Sequence, residues 1–157
     1  MKKNKKNRSS VKFRLFKKGD VNSIKILMYA LNKEDTQEMP INLRKIKQLF
    51  LHAPDRKFVE LYVAERDGKI IGYAIYNKAF SVEFDGMYGE IDEIYIKPEY
   101  RNQGIGSKFI KCIEEISKKN KFHALFLVST TGNTKAHRLY KKLKFKTLPQ
   151  IGFVKMF

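Results

Sequence analysis

Residues 91–106 read IDEIYIKPEYRNQGIG: an apolar, strand-like run, a turn that contains a proline, and two glycines that open a helix. Because Gly104 and Gly106 carry no Cβ, the backbone there can approach a ligand closely. The first turn of a helix has unpaired amides, and the positive end of the helix dipole points the same way. The segment therefore predicts an anion site suited to a pyrophosphate, to which Arg101 can add a charge-assisted contact.

The two glycines do not by themselves identify a nucleotide-binding fold. The dinucleotide fingerprint has a third glycine where this chain has Phe109, and the Gly-Lys-Ser/Thr of a P-loop is missing. A second motif, NTKAHRLYKKLKF at 133–145, begins 27 residues after Gly106. The order and spacing of the two motifs carry the functional prediction.

Together the two motifs resemble those of the GNAT superfamily of acetyl-CoA-dependent N-acetyltransferases. The first is similar to that family's Arg/Gln-x-x-Gly-x-Gly/Ala cofactor motif, and the second to its Asn-x-x-Ala-x-x-x-Tyr-x-x-x-Gly-Phe motif. The resemblance covers about residues 11–157, which we interpret as one domain after a basic tail of residues 1–10. It departs from the family at Asn102 and Lys144, which stand where glycine is usual.

Hydrophobic patterning predicts an α/β domain with mixed strand directions in the order β-α-α-β-β-β-α-β-α-β-β. The resemblance implies a GNAT-like, mostly antiparallel mixed sheet flanked by about four helices. The predicted strands are 11–16, 58–65, 69–76, about 90–96, 122–128, 145–148 and 151–157. Helices are predicted after Asp20, from Pro40, after Gly104 and from Asn133. The almost wholly apolar run 122–128 predicts a central strand buried on both faces.

The resemblance implies acetyl-CoA as the acetyl-donating co-substrate and no metal. Amides from Gln103 to Gly106 would hold the pyrophosphate, and the backbone of Ile94 and Ile96 would pair with the pantetheine arm, one amide polarising the acetyl carbonyl. Asn133 would bond the arm from the opposite side, and Lys135 would meet a phosphate unless it is merely solvated. The residues expected to contact acetyl-CoA are Ile94, Tyr95, Ile96, Arg101, Asn102, Gln103, Gly104, Ile105, Gly106, Ser107, Asn133, Lys135 and Tyr140.

Acetyl transfer requires the amine to lose a proton and the leaving thiolate to gain one. By its place in the second motif, Tyr140 is expected to be the general acid, since a phenol with a pKa of about 10 is protonated at neutral pH. The alternative is a core tyrosine on an apolar helix face. For the base we prefer Asp92, then Glu93, then Glu90. Glu90 and Asp92 share one face of a regular strand, whereas Glu93 points the other way unless a β-bulge brings it round.

The chain carries 33 basic and 16 acidic residues, a formal net charge of +17. Such a surface attracts phosphate backbones, but 26 of the bases are lysines spread along the chain, which favours a solvated surface over nucleic-acid binding. The exception is the acidic island, residues 79–96, which has five acids and no lysine or arginine. It predicts a subsite for a cationic group, the alternative being ordinary surface ion pairs.

Within the superfamily, the acidic island resembles the stretch before the cofactor motif in diamine (spermidine/spermine) acetyltransferases, with the acids of Asp92-Glu93 in swapped order. We therefore expect acetylation of a small cationic primary amine such as a polyamine, seated by Asp92, Glu93 and Glu90. Protein N-terminal or lysine acetylation, aminoglycoside acetylation and a non-catalytic, basic nucleic-acid-binding module are the alternatives. Glu34 and Asp35 are expected in a solvated loop after the first helix.

Composition limits the other classes. Cys112 is the single cysteine and His52, His123 and His137 are scattered, so neither a disulfide framework nor a metal site is expected. No run approaches the roughly 18 apolar residues of a membrane helix, and no apolar segment follows the basic start as in a secretory signal. These features favour a cytoplasmic protein without a membrane partner, and the resemblance leaves a homodimer open.

Overall fold

A computed structural model describes residues 10–34, 49–50 and 56–156. Within these residues, five strands form one sheet in chain order: β1 Lys12–Leu15, β2 Val59–Arg66, β3 Lys69–Ser81, β4 Gly86–Ile96 and β5 Ala124–Leu127. The first four strands pair antiparallel, and β5 pairs parallel to β4. This mixed, mostly antiparallel sheet, with helices beside it, confirms the predicted fold class.

Tight turns connect the central strands. Asp67 and Gly68, with φ values of 51° and 70°, form the predicted turn between β2 and β3. β3 and β4 both extend beyond their predicted lengths and pair as far as Ser81 and Gly86. Most of the acidic island therefore lies in the antiparallel β3–β4 pair, and the register of that pair fixes where its side chains point.

Helices cover both faces of the sheet. They are α1 Val21–Glu34, α2 Ile105–Lys119 and α3 Thr134–Lys142. The buried α1 stripe of Ile24, Leu27 and Met28 packs against Tyr73 and other residues of one side, here called the α1 face. The α2 residues Phe109, Ile110 and Ile113 pack with Ala74, Tyr76 and Ile91 on the opposite side, the α2 face. The sheet thus separates two apolar cores, each built from alternate positions of the same strands.

The C-terminal part differs from the prediction. Residues 145–148 and 151–156 are not strands, and Ile151 and Phe153 are 80% and 94% exposed. Among the described residues no strand pairs outside β5, so β5 is an edge strand with four half-buried residues. The prediction of a central strand buried on both faces was wrong because burial depends on a neighbouring strand, which apolar composition does not reveal.

Some predictions fall outside the described residues. These include the basic tail up to residue 9, Asp35, His52 and most of the helix predicted from Pro40. Leu49 and Phe50 are described and helical, and the Phe50 ring contacts Phe16 at a centroid distance of 5.9 Å. The end of that predicted helix therefore packs against the core of the α1 face.

Helix α3 ends in a Schellman motif. The Phe145 amide donates to the Tyr140 carbonyl and the Lys144 amide donates to the Lys141 carbonyl, both at 3.0 Å. The Phe145 ring also packs on Tyr140, with ring centroids 5.9 Å apart. Lys144 has a φ of 66°, the left-handed conformation for which glycine is favoured. The departure from the family motif thus changes the residue but keeps the backbone turn.

Replacing Lys144 by glycine should stabilise the protein. Lys144→Gly removes a Cβ from a left-handed position, so we expect the free energy of unfolding to rise by about 1 kcal/mol. Urea denaturation measures the change. Lys141→Gly, in a helical position of α3, is the matched control and should lower stability by about the same amount. If Lys144→Gly also lowers stability, left-handed strain at this position is not significant.

Candidate active site

β4 and β5 separate partway along β4. β5 pairs with β4 from Tyr88 to Ile91, whereas β4 continues to Ile96. Among the described residues, the outer edge of β4 therefore has no partner strand from Asp92 onward. An unpaired strand edge offers N–H and C=O groups to an extended ligand. The unpaired edge includes the backbone of Ile94, for which pairing with a pantetheine arm was predicted.

A β-bulge at Asp92 changes the direction of the acidic side chains. Ile91 pairs with Tyr76 and Glu93 pairs with Ile75, so Asp92 is an extra residue between two paired positions. The bulge turns Glu93 to the α1 face, where the Tyr73 hydroxyl donates a 2.6 Å hydrogen bond to its carboxylate. β4 therefore has a bulge at the position that the sequence analysis considered, and the Glu93 side chain points to the α1 face.

The neighbouring carboxylates lie in a partly desolvated environment. Burial raises the pKa of Glu90, the Asp92 charge raises it further, and a hydrogen bond with Asn77 opposes both. Asp92 has exposed surface, yet enough protein surrounds its carboxylate for desolvation to raise its pKa. Burial also raises the pKa of Tyr73, with the charges of Glu93 and Asp92 adding to the shift. Raised pKa values make Asp92 and Glu90 stronger proton acceptors than ordinary surface carboxylates.

An aromatic cluster adjoins the carboxylates. The rings of Phe84, Tyr88 and Phe126 contact one another with centroid distances of 5.0 to 6.3 Å. Phe126 pairs with Glu90 in the β4–β5 register, and Tyr88 precedes Glu90 by two residues on the same strand face. Sequence analysis missed this cluster because Phe126 meets Phe84 and Tyr88 only through the parallel β4–β5 pairing. Rings beside carboxylates suit a cation with an apolar stem.

Helix α2 begins with open backbone amides. Its N-cap, Gly104, has a φ of 74° and makes no side-chain cap, and Asn102 is also left-handed with a φ of 60°. Between described residues, no hydrogen bond is donated by the backbone amides of Gln103 to Ser107. The Ile105 side chain is buried in the core, so only its backbone can face a ligand. Free amides at a helix N-terminus, without a side-chain cap, fit a diphosphate group.

The Arg101 side chain is held by the protein. Its Nε donates to the Ile96 carbonyl at 2.7 Å, its Nη2 donates to the Glu34 carboxylate at 2.8 Å, and its guanidinium lies 5.0 Å from the Tyr95 ring centroid. Glu34 is the last residue of α1, so the expectation of a solvated loop was wrong for it. Direct contact between Arg101 and acetyl-CoA stays a prediction.

The Gln103 side chain likewise contacts the protein. Its Oε1 accepts a 3.0 Å hydrogen bond from Arg66, and its Nε2 donates to the Glu99 carbonyl at 3.2 Å. Arg66 is the last residue of β2, so this bond connects the turn before α2 to the turn end of the β2–β3 hairpin. The side chain thereby fixes the turn while its backbone amide remains open.

Helix α3 approaches the same region. A Cβ added to Gly106 would lie 3.6 Å from Leu139 Cδ2, which places α3 beside the first turn of α2. Asn133 is the N-cap of α3, and its side-chain oxygen accepts a 3.2 Å hydrogen bond from the Ala136 amide. This capping role was missed although asparagine is a common N-cap. Lys135 is exposed.

Tyr140 is half-buried on α3. Burial raises the pKa of its hydroxyl, which keeps the phenol protonated well above neutral pH. No hydrogen bond to this hydroxyl occurs between the described residues. A protonated phenol held by its ring contact with Phe145 could deliver a proton to a departing group.

Fold and motifs together define the class of protein. The family model described as "Acetyltransferase (GNAT) family" matches residues 26–145, and the chain belongs to this family. The chain is similar to thialysine N-epsilon-acetyltransferase of Bos taurus, with 37% identity over 81 residues, or 52% of this chain and 47% of that protein. It thus spans about half the length of the curated relatives it matches.

Solved structures show the same fold. A "possible acetyltransferase" from Clostridium difficile 630 superposes with a TM-score of 0.80 at 20% identity, covering 94% of this chain and 97% of that one. A Clostridium acetobutylicum protein solved with acetyl-CoA gives a TM-score of 0.78 at 17% identity, covering 93% and 96% of the two chains.

In the part of the chain that the structure describes, no helix is long and apolar enough to cross a membrane, and no group of three metal-ligating side chains occurs.

The raised pKa of Asp92 predicts a pH-dependent effect on stability. A carboxyl whose pKa is higher in the folded than in the unfolded state lowers stability as pH rises from the unfolded-state pKa through the folded-state pKa, because its charge is poorly solvated in the fold. Asp92→Asn should therefore raise the melting temperature at pH 7 and leave it unchanged below about pH 3, where the carboxyl is protonated in both states. Glu83→Gln, in the exposed turn of the same acidic island, is the control and should change neither value. A loss of stability at pH 7 in Asp92→Asn would contradict this description of the carboxylate.

Proposed function

We propose that this chain transfers the acetyl group of acetyl-CoA directly to a primary amine, and that the acceptor is a small cationic amine such as a polyamine. The observation that carries the proposal is the course of β4. One strand combines an edge that has no partner strand among the described residues with Asp92, a carboxylate of raised pKa at its bulge, and it leads through a short turn to the open amides of α2. Membership of the GNAT family supports the reaction class.

Acetyl-CoA supplies a thioester as the activated acetyl donor. In the proposed arrangement the amides of Gln103 to Ser107 bind the diphosphate, aided by the positive end of the α2 dipole. The free edge of β4 at Ile94 and Ile96 pairs with the pantetheine arm, and one of its amides polarises the acetyl carbonyl. Tyr95 lies between these two residues and contributes through its buried ring, which packs on Tyr73. Asn133 and Lys135 lie at the start of α3 for contact from the other side.

Asp92 is the preferred acceptor of the proton that the attacking amine must lose. It occupies the bulge, its carboxylate has exposed surface, and desolvation raises its pKa above the ordinary value. A primary ammonium has a pKa of about 10.4 in water, so removal of its proton needs a nearby base. Glu93 is the second candidate for the base, because its carboxylate accepts a hydrogen bond from the Tyr73 hydroxyl. Glu90 is the third, because it lies farther than Asp92 from the unpaired part of β4.

The acceptor proposal rests on charge and shape. With a formal charge of +17, the chain as a whole repels polycations, so a cationic acceptor needs local carboxylates to bind. Glu90 supplies one beside the rings of Phe84, Tyr88 and Phe126, which can contact an aliphatic stem or a second ammonium group. Protein amines and aminoglycosides are the alternative acceptors. A cytoplasmic location is proposed from the composition, and a homodimer from the family resemblance.

Tyr140→Phe should lower turnover while preserving acetyl-CoA binding. The variant loses only the proposed proton donor and keeps the ring contact with Phe145, so we expect kcat to fall by about 100-fold. Acetyl-CoA affinity, measured by calorimetry, should stay within about twofold of the parent value. Tyr29→Phe, an exposed tyrosine of α1, is the matched control. An unchanged kcat in Tyr140→Phe would remove Tyr140 from the mechanism.

The acceptor class is tested by thiol release from acetyl-CoA in the presence of polyamines, aminoglycosides or lysine-containing peptides. We expect the highest kcat/KM with polyamines, because these match the carboxylates and the aromatic cluster. Phe126→Leu should then raise KM for a long polyamine about tenfold and change KM for a short monoamine little. Preference for aminoglycosides or peptides would overturn the acceptor assignment, whereas no thiol release with any amine would overturn the enzymatic proposal itself.

A further inference from the structure

Glu34 joins the first helix to the region proposed to bind acetyl-CoA. It is the terminal residue of α1, and its two carboxylate oxygens have different partners. Oε1 accepts a 2.7 Å hydrogen bond from the Tyr95 hydroxyl, and Oε2 accepts one of 2.8 Å from Arg101. Tyr95 lies in the free-edge part of β4, and Arg101 lies in the turn before α2. A single carboxylate therefore spans both backbone elements that the proposed function assigns to acetyl-CoA.

The Arg101 guanidinium contacts three groups of the protein. Its Nε donates to the Ile96 carbonyl, its plane lies over the Tyr95 ring, and Glu34 is its acidic partner among the described residues. These contacts hold the turn after β4 close to the end of the strand. The open amides of Gln103 to Ser107 follow directly, so their direction depends on how firmly Arg101 is held.

The same contacts extend toward the proposed base. The Tyr95 ring packs on Tyr73 at a centroid distance of 6.3 Å, and the Tyr73 hydroxyl bonds the Glu93 carboxylate. A continuous run of contacts thus leads from Arg101 through Glu34, Tyr95 and Tyr73 to Glu93. No part of this run was visible in the sequence, where Glu34 and Arg101 are 67 residues apart.

We propose that Glu34 is a positioning residue that sets the geometry of the acetyl-CoA site by holding Arg101 and Tyr95 together. The inference rests on the proposed placement of acetyl-CoA. The Glu34–Arg101 pair is more than a third exposed on both sides, so it contributes little to the stability of the fold. Its effect is instead preorganisation: without the pair, the turn must be ordered when the diphosphate binds, which weakens binding.

Glu34→Gln is the test variant, because it keeps the side-chain length and an oxygen for Tyr95 but loses the charge that binds Arg101. We expect KM for acetyl-CoA to rise about tenfold, with kcat and the amine KM within about twofold of the parent values. The double variant Glu34→Gln/Arg101→Gln should raise KM for acetyl-CoA no further than Arg101→Gln alone, because Glu34 acts through Arg101.

Glu114→Gln is the matched control. Glu114 pairs with Lys118 at 2.7 Å and is 38% exposed, against 2.8 Å and 39% for Glu34, but it lies on the exposed side of α2. Both variants should melt within about 2 °C of the parent, and Glu114→Gln should leave every kinetic constant unchanged.

Three results would overturn the inference. If Glu34→Gln matches Glu114→Gln in KM for acetyl-CoA, the contact with Arg101 has no positioning role. If the amine KM rises instead, Glu34 contacts the acceptor rather than positioning the acetyl-CoA site. If calorimetry shows no acetyl-CoA binding by the unmodified chain, the proposed function fails, and this inference fails with it.

Discussion

The extra residue that Asp92 inserts into β4 is the constraint on which the rest of the site depends. Without the bulge, β4 would alternate regularly and Glu93 would lie on the α2 face among apolar side chains. With it, Glu93 reaches Tyr73 on the α1 face, and the strand from Ile94 onward continues in the opposite phase. The bulge lies just beyond Ile91, the last residue that β5 pairs, so the carboxylates and the open strand edge occur together.

Charge divides the molecule into two environments. The lysine-rich surface favours approach of polyanions such as the phosphates of acetyl-CoA, while the acidic island supplies the opposite sign where the acceptor amine is proposed to bind. Desolvation raises the pKa values of Glu90 and Asp92, so these carboxylates carry a cost that the fold alone does not require. Such a cost is common at sites that bind or move protons. An ion pair with a lysine would instead lower these pKa values, so the proposal assigns the acidic island to a cationic ligand.

The glycine-containing motif determined much of what could be predicted. Gly104 and Pro98 mark the end of β4 and the start of α2, and the structure begins α2 at Ile105 as that pattern predicts. The second motif likewise placed α3, which begins at Thr134. These features depend on local backbone preferences, which a sequence carries directly.

Features that depend on contacts between distant segments were not predictable. A one-residue bulge leaves the apolar–polar alternation of β4 ambiguous, so the direction of Glu93 could only be posed as an alternative. The pairing of Glu34 with Arg101 and the packing of Phe84 on Phe126 need the folded sheet to bring them together. Apolar residues at 145–157 suggested strands by propensity, but strand formation requires a partner edge, and residues 145–156 have none in the described structure.

The central claim is that the open amides before α2 and the unpaired edge of β4 form one acetyl-CoA site. It is tested most directly by recording backbone amide resonances of the isotope-labelled protein during titration with acetyl-CoA. The claim predicts that the largest shifts occur at Gln103 to Ser107 and at Ile94 to Ile96, and that they saturate together with a single affinity. Saturating shifts confined to other parts of the chain, with these two segments unchanged, would contradict it.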